Sequence, residues 1–241
     1  MKKIFVLSGA GISKESGIPT FRDSKDGLWH NYNIEEVASP KGWRKDPKMV
    51  LDFYNDRRDA IKVCSPNDGH TYLAKLQEYF DVTIFTQNID DLHEKAGSKK
   101  VYHIHGDITK ARCSLDNCDG GFKNANGYLD IGYTPLHMGL LCEHHHQLRP
   151  SVVFFDEFIL FEQEAEDEAK ASDYVIAVGT SLCVFPAANF PRHRRKGVPF
   201  YIVDPGEYQN YIKPYYDNPI HIKKSASEGM KELYEVLIKE I

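Results

Sequence analysis

Four polar clusters in this 241-residue chain follow short apolar runs or stand close to them, and each offers groups that could do chemistry. Thr86-Gln87-Asn88-Ile89-Asp90-Asp91-Leu92-His93 carries amides and carboxylates that can orient a bound amide or sugar, although Asn88 or Asp90 serves equally as a helix cap. His103-Ile104-His105-Gly106-Asp107 holds two imidazoles, the side chain suited to proton transfer near neutral pH. Residues two apart in a strand share a face, so alternation alone does not choose between them. Gly9-Ala10-Gly11-Ile12-Ser13 and Gly179-Thr180-Ser181 each follow an apolar run. Glycines after a first strand let backbone amides approach a pyrophosphate at a helix N-terminus. Lys14 stands where the usual dinucleotide fingerprint has its third glycine, and a plain tight turn fits the same residues.

The elements that must position these groups follow from patterning. Apolar, β-rich runs recur at 3–8, 81–86, 151–155, 173–178 and 198–203, and continuous apolar strands are the habit of parallel sheets buried on both faces. Helical patterns lie between and after them, including 228–239, where Met230, Leu233, Val236 and Leu237 share a stripe. The alternation predicts an α/β fold with a doubly wound parallel sheet. Residues 31–70, helical and rich in aromatics and charge, and 111–149, with cysteines, histidines and Gly120-Gly121, break the rhythm and predict a smaller lobe. A chain this long sits near the upper size of a single core, which fits two lobes with a cleft between them.

Composition narrows the function classes. A net charge of −5 argues against a general polyanion surface, so nucleic acid is not expected as a partner. No apolar run is long enough to span a bilayer, and the N-terminal run is too short for a secretory signal, so a cytoplasmic protein with no membrane partner is expected. Of the cysteines Cys64, Cys113, Cys118, Cys142 and Cys183, three cluster between 113 and 142, which in such a compartment points to metal rather than disulfides. Cys113 and Cys118 form a first pair, while Cys142 is followed only by His144, His145 and His146. A structural zinc held by Cys113, Cys118, Cys142 and, on Cys-x-x-His spacing, His145 is chemically reasonable; a metal-free module is the alternative.

Taken in order, Gly-Ala-Gly-Ile-Ser with Gly-Ile-Pro-Thr-Phe-Arg, Thr-Gln-Asn-Ile-Asp, His-Gly, Leu-Arg-Pro-Ser-Val-Val-Phe-Phe and Gly-Thr-Ser resemble the sirtuin family over essentially the whole chain. The resemblance implies a Rossmann-like domain over 1–30, 71–110 and 150–241. Its small domain would comprise a helical module, 31–70, and a zinc-binding module, 111–149. It also implies NAD consumed as a co-substrate in deacylation of protein lysines. Gly9, Ala10, Gly11, Ile12, Phe21, Arg22, Gln87, Asn88, Ile89, Asp90, Gly179, Thr180 and Ser181 would line the NAD site, with Asp204 and Ala226 near the adenosine. His105, directly before Gly106, matches the catalytic histidine; Asn88 and Asp90 would serve the nicotinamide end. The acyl oxygen would attack C1′ of the nicotinamide ribose, and His105 would take a proton from the ribose hydroxyls. The products would be nicotinamide, free lysine and O-acyl-ADP-ribose. Counting back from Leu148-Arg149-Pro150 makes His144 a rival to His145 at the metal.

Acylated lysine proteins or peptides are the expected partners, held as an added strand between segments that include Phe155, Glu157 and Val184. Asp156 stands where the family usually has Gly. Tyr54 and Arg57, three apart, lie on one helical face, and a guanidinium beside a phenol makes a carboxylate receptor. Phe-Tyr-x-x-Arg-Arg with Ala38 resembles the subgroup that removes succinyl, malonyl or glutaryl groups. NAD hydrolysis, ADP-ribosyl transfer and a silent NAD-sensing module are the competing readings, and an oxidoreductase is disfavoured by the glycine spacing. A monomeric, minimal catalytic core is expected.

Overall fold

The computed structural model describes residues 1–20, 33–122, 127–206 and 217–241. Its strands are β1 (Lys3–Ser8), β2 (Asp81–Thr86), β3 (Val101–His103), β4 (Gly106–Cys113), β5 (Leu129–Asp130), β6 (Leu148–Val152), β7 (Tyr174–Val178), β8 (Phe200–Val203) and β9 (Ile220–Ile222). Its α-helices are α1 (Ile34–Val37), α2 (Pro40–Lys45), α3 (Pro47–Lys62), α4 (Asp68–Leu76), α5 (Leu92–Lys95), α6 (Glu162–Ala171) and α7 (Ala226–Leu237).

Six strands form one sheet in the order β3-β2-β1-β7-β8-β9, and each neighbouring pair is parallel. Alternation sorts β1 onto both faces. Ile4 and Val6 join Leu73 and Leu76 of α4 and Met230, Leu233 and Leu237 of α7, whereas Phe5 and Leu7 join Ala165 and Ala169 of α6 on the other side. Helices on both faces explain why these strands read as unbroken apolar runs. Val236, expected on the apolar stripe of α7, is 40% exposed instead. The stripe narrows to Met230, Leu233 and Leu237 because only those positions face the sheet.

The run expected as a strand at 151–155 belongs elsewhere. The strand there is β6, and it pairs antiparallel with β4 in a separate sheet of order β5-β4-β6. Apolar character reports that β6 is buried, not which strand it joins. Against this small sheet pack α1 and α3, with Val37, Phe53 and Tyr54 meeting Ile108, Val152 and Phe154.

The three helices before α4 are set by caps. Asn33, Ser39 and Asp46 each accept a backbone N–H at the start of α1, α2 and α3, and Pro40 and Pro47 occupy the first turns of the latter two. A capping side chain followed by proline both ends one helix and starts the next. Inside α3, Arg58 is fully buried; it donates to the Ile108 carbonyl at 2.8 Å and to Asn55 Oδ1 at 2.6 Å. Burial lowers its pKa to about 10. Asn55 in turn exchanges hydrogen bonds with both backbone groups of Leu136, so α3 is stitched to β4 and to the segment beyond β5.

Candidate active site and metal centre

Numbered along the chain within the large sheet, the strand order is 3-2-1-4-5-6, the doubly wound arrangement whose crevice opens where the order reverses. That point lies between the carboxyl ends of β1 and β7, where Gly9 N donates to the Val178 carbonyl and Gly11 N to the Gly179 carbonyl at 2.8 Å. The two backbones touch. A Cβ on Gly179, whose φ is +61°, would lie 2.1 Å from the Ile12 nitrogen. Gly179→Ala should therefore part the two loops. We expect a loss of roughly 2–4 kcal/mol in stability and at least about tenfold weaker ADP-ribose binding, read by denaturant titration and calorimetry. Unchanged binding would show that the loops do not need this contact.

β2 delivers the polar cluster to the same crevice. Gln87 donates through Nε2 to Thr180 Oγ1 at 3.2 Å, crossing from β2 to the loop after β7. Asn88 and Asp90 are both buried and share Ser13: Asn88 Nδ2 donates to Ser13 Oγ, which donates to Asp90 Oδ2, each at 3.0 Å. Asn88 Nδ2 also reaches the Gly9 carbonyl at 3.3 Å. Burial raises the pKa of Asp90, while the donors Leu92 N and Ser13 Oγ oppose that shift.

β3 ends at His103, and His105 lies in the turn before β4, so the two imidazoles stand in different surroundings. His103 is buried, with Nδ1 on the Asn88 carbonyl at 3.0 Å and Nε2 on Glu94 Oε1 at 2.8 Å. Acceptors at both nitrogens favour the imidazolium. Burial by itself lowers the His103 pKa, but the hydrogen bond and charge of Glu94, with Asp107, raise it overall. His105 has one such bond, from Nδ1 to the Gln87 carbonyl at 3.0 Å. A carbonyl only accepts, so Nδ1 carries the proton and Nε2 keeps the lone pair. Burial, the larger effect, pulls the His105 pKa below its ordinary value despite that hydrogen bond. The next residue must be Gly106, because at φ +85° a Cβ would meet the Ser151 oxygen at 2.1 Å.

Other expected contacts sit differently. Ile12 turns its side chain into the core and Ala226 is buried at the start of α7, so neither side chain is exposed. Asp204 ends β8 and accepts from Gly206 N at 2.8 Å. Ile89 packs against the cluster that contains Tyr54, and Ser181 is half-buried beside Thr180. Phe21 and Arg22 lie outside the described residues.

Around the acyl-site candidates, Tyr54 is buried and stacks near Phe154 at 6.2 Å. Burial is the main force holding its phenol protonated well above the usual range. Arg57 is buried one turn on and lies over the Phe53 ring at 4.4 Å. Ala38 is buried, and its carbonyl accepts from Phe155 N at 2.8 Å. Phe155 and Val184 are each 49% exposed. Glu157 turns its side chain inward. Its carboxylate grips Arg149 through two 2.8 Å bonds and accepts from Phe154 N, and its own N–H closes a turn onto the Phe154 carbonyl. Its side chain therefore braces the segment. The turn places Asp156 at φ +72°, a region where Asp is among the better-tolerated residues after glycine.

The cysteines converge, with one correction. Cys142 Sγ lies 3.8 Å from Cys113 Sγ, 3.9 Å from Cys118 Sγ and 3.9 Å from His146 Nδ1. Tetrahedral zinc with bonds of ~2.3 Å separates its ligand atoms by roughly 3.8 Å, so the donor set fits zinc in size and chemistry. The histidine is His146, not His145 or His144. The chain turns back at Cys142–His146, with His145 N bonded to the Cys142 carbonyl and Cys142 N to the His146 carbonyl. At φ +62° His145 occupies the turn and points outward, which brings His146 round to the thiols. His144 faces solvent and bonds Asp119 at 3.0 Å. Leu115 N and Gly120 N donate to the Cys113 and Cys118 sulfurs, as thiolates require. Such an ion would tie the end of β4 to two loops, a structural task.

The sheet order, the interlocked glycine loops at the switch point and the cysteine cluster define a dinucleotide-binding α/β protein with a zinc-type module. The Sir2 family model matches residues 9–186. An NAD-dependent protein deacylase of Helicobacter pylori (strain ATCC 700392 / 26695) is 41% identical over 242 residues, covering 99% of each chain. Another, from Bacteroides thetaiotaomicron, is 40% identical over 239 residues with the same coverage. A solved Sir2 homologue in complex with NAD superimposes with a TM-score of 0.83 at 36% identity, covering 99% of this chain and 90% of its own. The chain belongs to the Sir2 family.

Proposed function

We propose that this protein is an NAD-dependent protein-lysine deacylase whose preferred acyl groups carry a terminal carboxylate, succinyl and malonyl foremost. The observation that carries the reaction class is His105 beside the carboxyl end of β2, held by the Gln87 carbonyl as the tautomer whose Nε2 can take a proton. NAD supplies the activated glycosidic bond to nicotinamide whose cleavage drives removal of the acyl group.

The chain's own residues then have distinct tasks. Gly9, Ala10, Gly11, Gln87, Thr180 and Ser181 line the phosphates and ribose, and Asp204 and the start of α7 receive the adenosine. Asn88 and Asp90, held by Ser13, orient the nicotinamide end, where correct placement supplies much of the rate. His105 removes a proton from a ribose hydroxyl so that its oxygen can reach the acyl carbon. Acyl-lysine peptides dock over Phe155 and Val184. We place the enzyme in the cytoplasm, where cysteines such as Cys64 and Cys183 stay out of disulfides.

The acyl preference rests on Tyr54 and Arg57, buried on one face of α3, and on the small, buried Ala38. A buried guanidinium gains most from a carboxylate partner. Matched succinyl- and acetyl-lysine peptides, with products weighed by mass spectrometry, test it. Wild type should remove succinyl faster, and Arg57→Met should lower kcat/KM for succinyl by about 100-fold while leaving acetyl within about threefold. A wild-type preference for acetyl would sink the acyl assignment. Nicotinamide release with neither peptide consumed would replace deacylation by NAD hydrolysis or transfer.

A further inference from the structure

The loop after β1 is built from two short 3₁₀ turns, Ala10–Ile12 and Lys14–Ser16, neither long enough to hold itself. Its far end is fastened by Asn67, the residue that caps α4. Asn67 Nδ2 donates to the Ile12 carbonyl at 2.7 Å and to Ser16 Oγ at 2.9 Å. Its Oδ1 accepts from Gly69 N at 2.8 Å and from Ser227 Oγ at 3.4 Å. Both donors and both lone pairs of the amide are thereby used, and they join the glycine loop, α4 and α7. The junction is tight: a Cβ on Gly69 would meet Ala226 at 3.1 Å. Glu15 adds a second tie across it, accepting from Ser225 Oγ and Ser227 N.

We infer that Asn67 is a positioning residue for NAD: through Ile12 and Ser16 it sets the phosphate-facing loop against the helix start that receives the adenosine. The inference rests on the NAD-site reading above. No other residue type of this size offers two donors toward the loop and an acceptor toward the α4 amides. Aspartate offers the acceptor and caps a helix as well as asparagine does, but turns a bare oxygen toward the Ile12 carbonyl. Asn67→Asp therefore separates the cap from the loop.

Calorimetric binding of ADP-ribose to the full-length, metal-loaded wild type and Asn67→Asp, alongside their melting temperatures, provides the test. At about pH 8 the variant should bind roughly tenfold more weakly, with its melting temperature within about 3 °C of wild type because the cap persists. Protonation restores a donor. Crowding against a carbonyl raises the carboxyl's pKa, so affinity should return to within about threefold of wild type near pH 5. A merely structural role would instead show as a clearly lowered melting temperature of Asn67→Asp at pH 8. Equal binding at both pH values, or weak binding at both, overturns the inference while leaving the NAD-site reading intact. Failure of wild type itself to bind ADP-ribose overturns both.

Discussion

Replacing His105 with alanine should lower kcat/KM for deacylation by at least ~10³-fold while ADP-ribose affinity stays within about threefold of wild type. The asymmetry follows from geometry. Gln87, whose carbonyl fixes the His105 ring, is itself anchored to Ser8 and Thr180 by its side chain, so removing the imidazole leaves the cofactor crevice in place. The wild-type pH profile gives a second check. His105 acts as a base only when neutral, and burial lowers its pKa, so the neutral form persists to more acid conditions than for a free imidazole. The acid limb of kcat/KM should therefore fall below about pH 6.5 and vanish from whatever residual rate His105→Ala retains. An acid limb above that value would assign it to another group. A His105→Ala enzyme with near-normal turnover would remove the proposed base altogether.

Loss of the zinc-type centre should have the largest effect on stability. Cys142 lies within 3.9 Å of each of the other three donor atoms, so Cys142→Ser disrupts the whole set. Structural zinc contributes roughly 10–16 kcal/mol in isolated finger peptides, where folding depends on it. Here the small sheet also has its own core, with Leu51, Ala111, Leu136 and Leu148 packed around the cysteines. We expect metal content to fall from about one zinc per chain to none and the melting temperature to drop by more than about 10 °C. His146→Ala should behave similarly, and His145→Ala should keep its zinc. Elemental analysis of the purified proteins with scanning calorimetry decides it. Metal-free wild type with a melting point indifferent to chelator would mean that the module packs without an ion. Zinc lost from His145→Ala but retained by His146→Ala would reverse the ligand assignment.

Much of the crevice was legible because its signals are local. A strand that ends in glycine, or in a run of amide and carboxylate side chains, announces both the element and the ligand edge, and β1, β2 and β7 were read within a residue of their bounds. The helix bearing Tyr54 and Arg57 announced itself through period and charge. Other features were not local. Whether the run near 151 belonged to the large sheet depended on β4, some forty residues earlier in the chain. The role of Ser13 as the bridge between Asn88 and Asp90 depended on two loops meeting across the sheet.

The amino-acid sequence alone thus determined which chemical groups the chain possesses, the α/β class, and the order of strands and helices along it. These follow from residue type, spacing and hydrophobic period, which act over a few residues. Tertiary structure decided how those groups combine. It gave the His105 imidazole a single carbonyl and the His103 imidazole two acceptors, and a left-handed turn brought His146 rather than His145 to the cysteines. It also paired the Glu157 carboxylate with Arg149. These outcomes rested on backbone turns and on which hydrogen-bonding group each side chain met, and residue spacing alone carries no record of either.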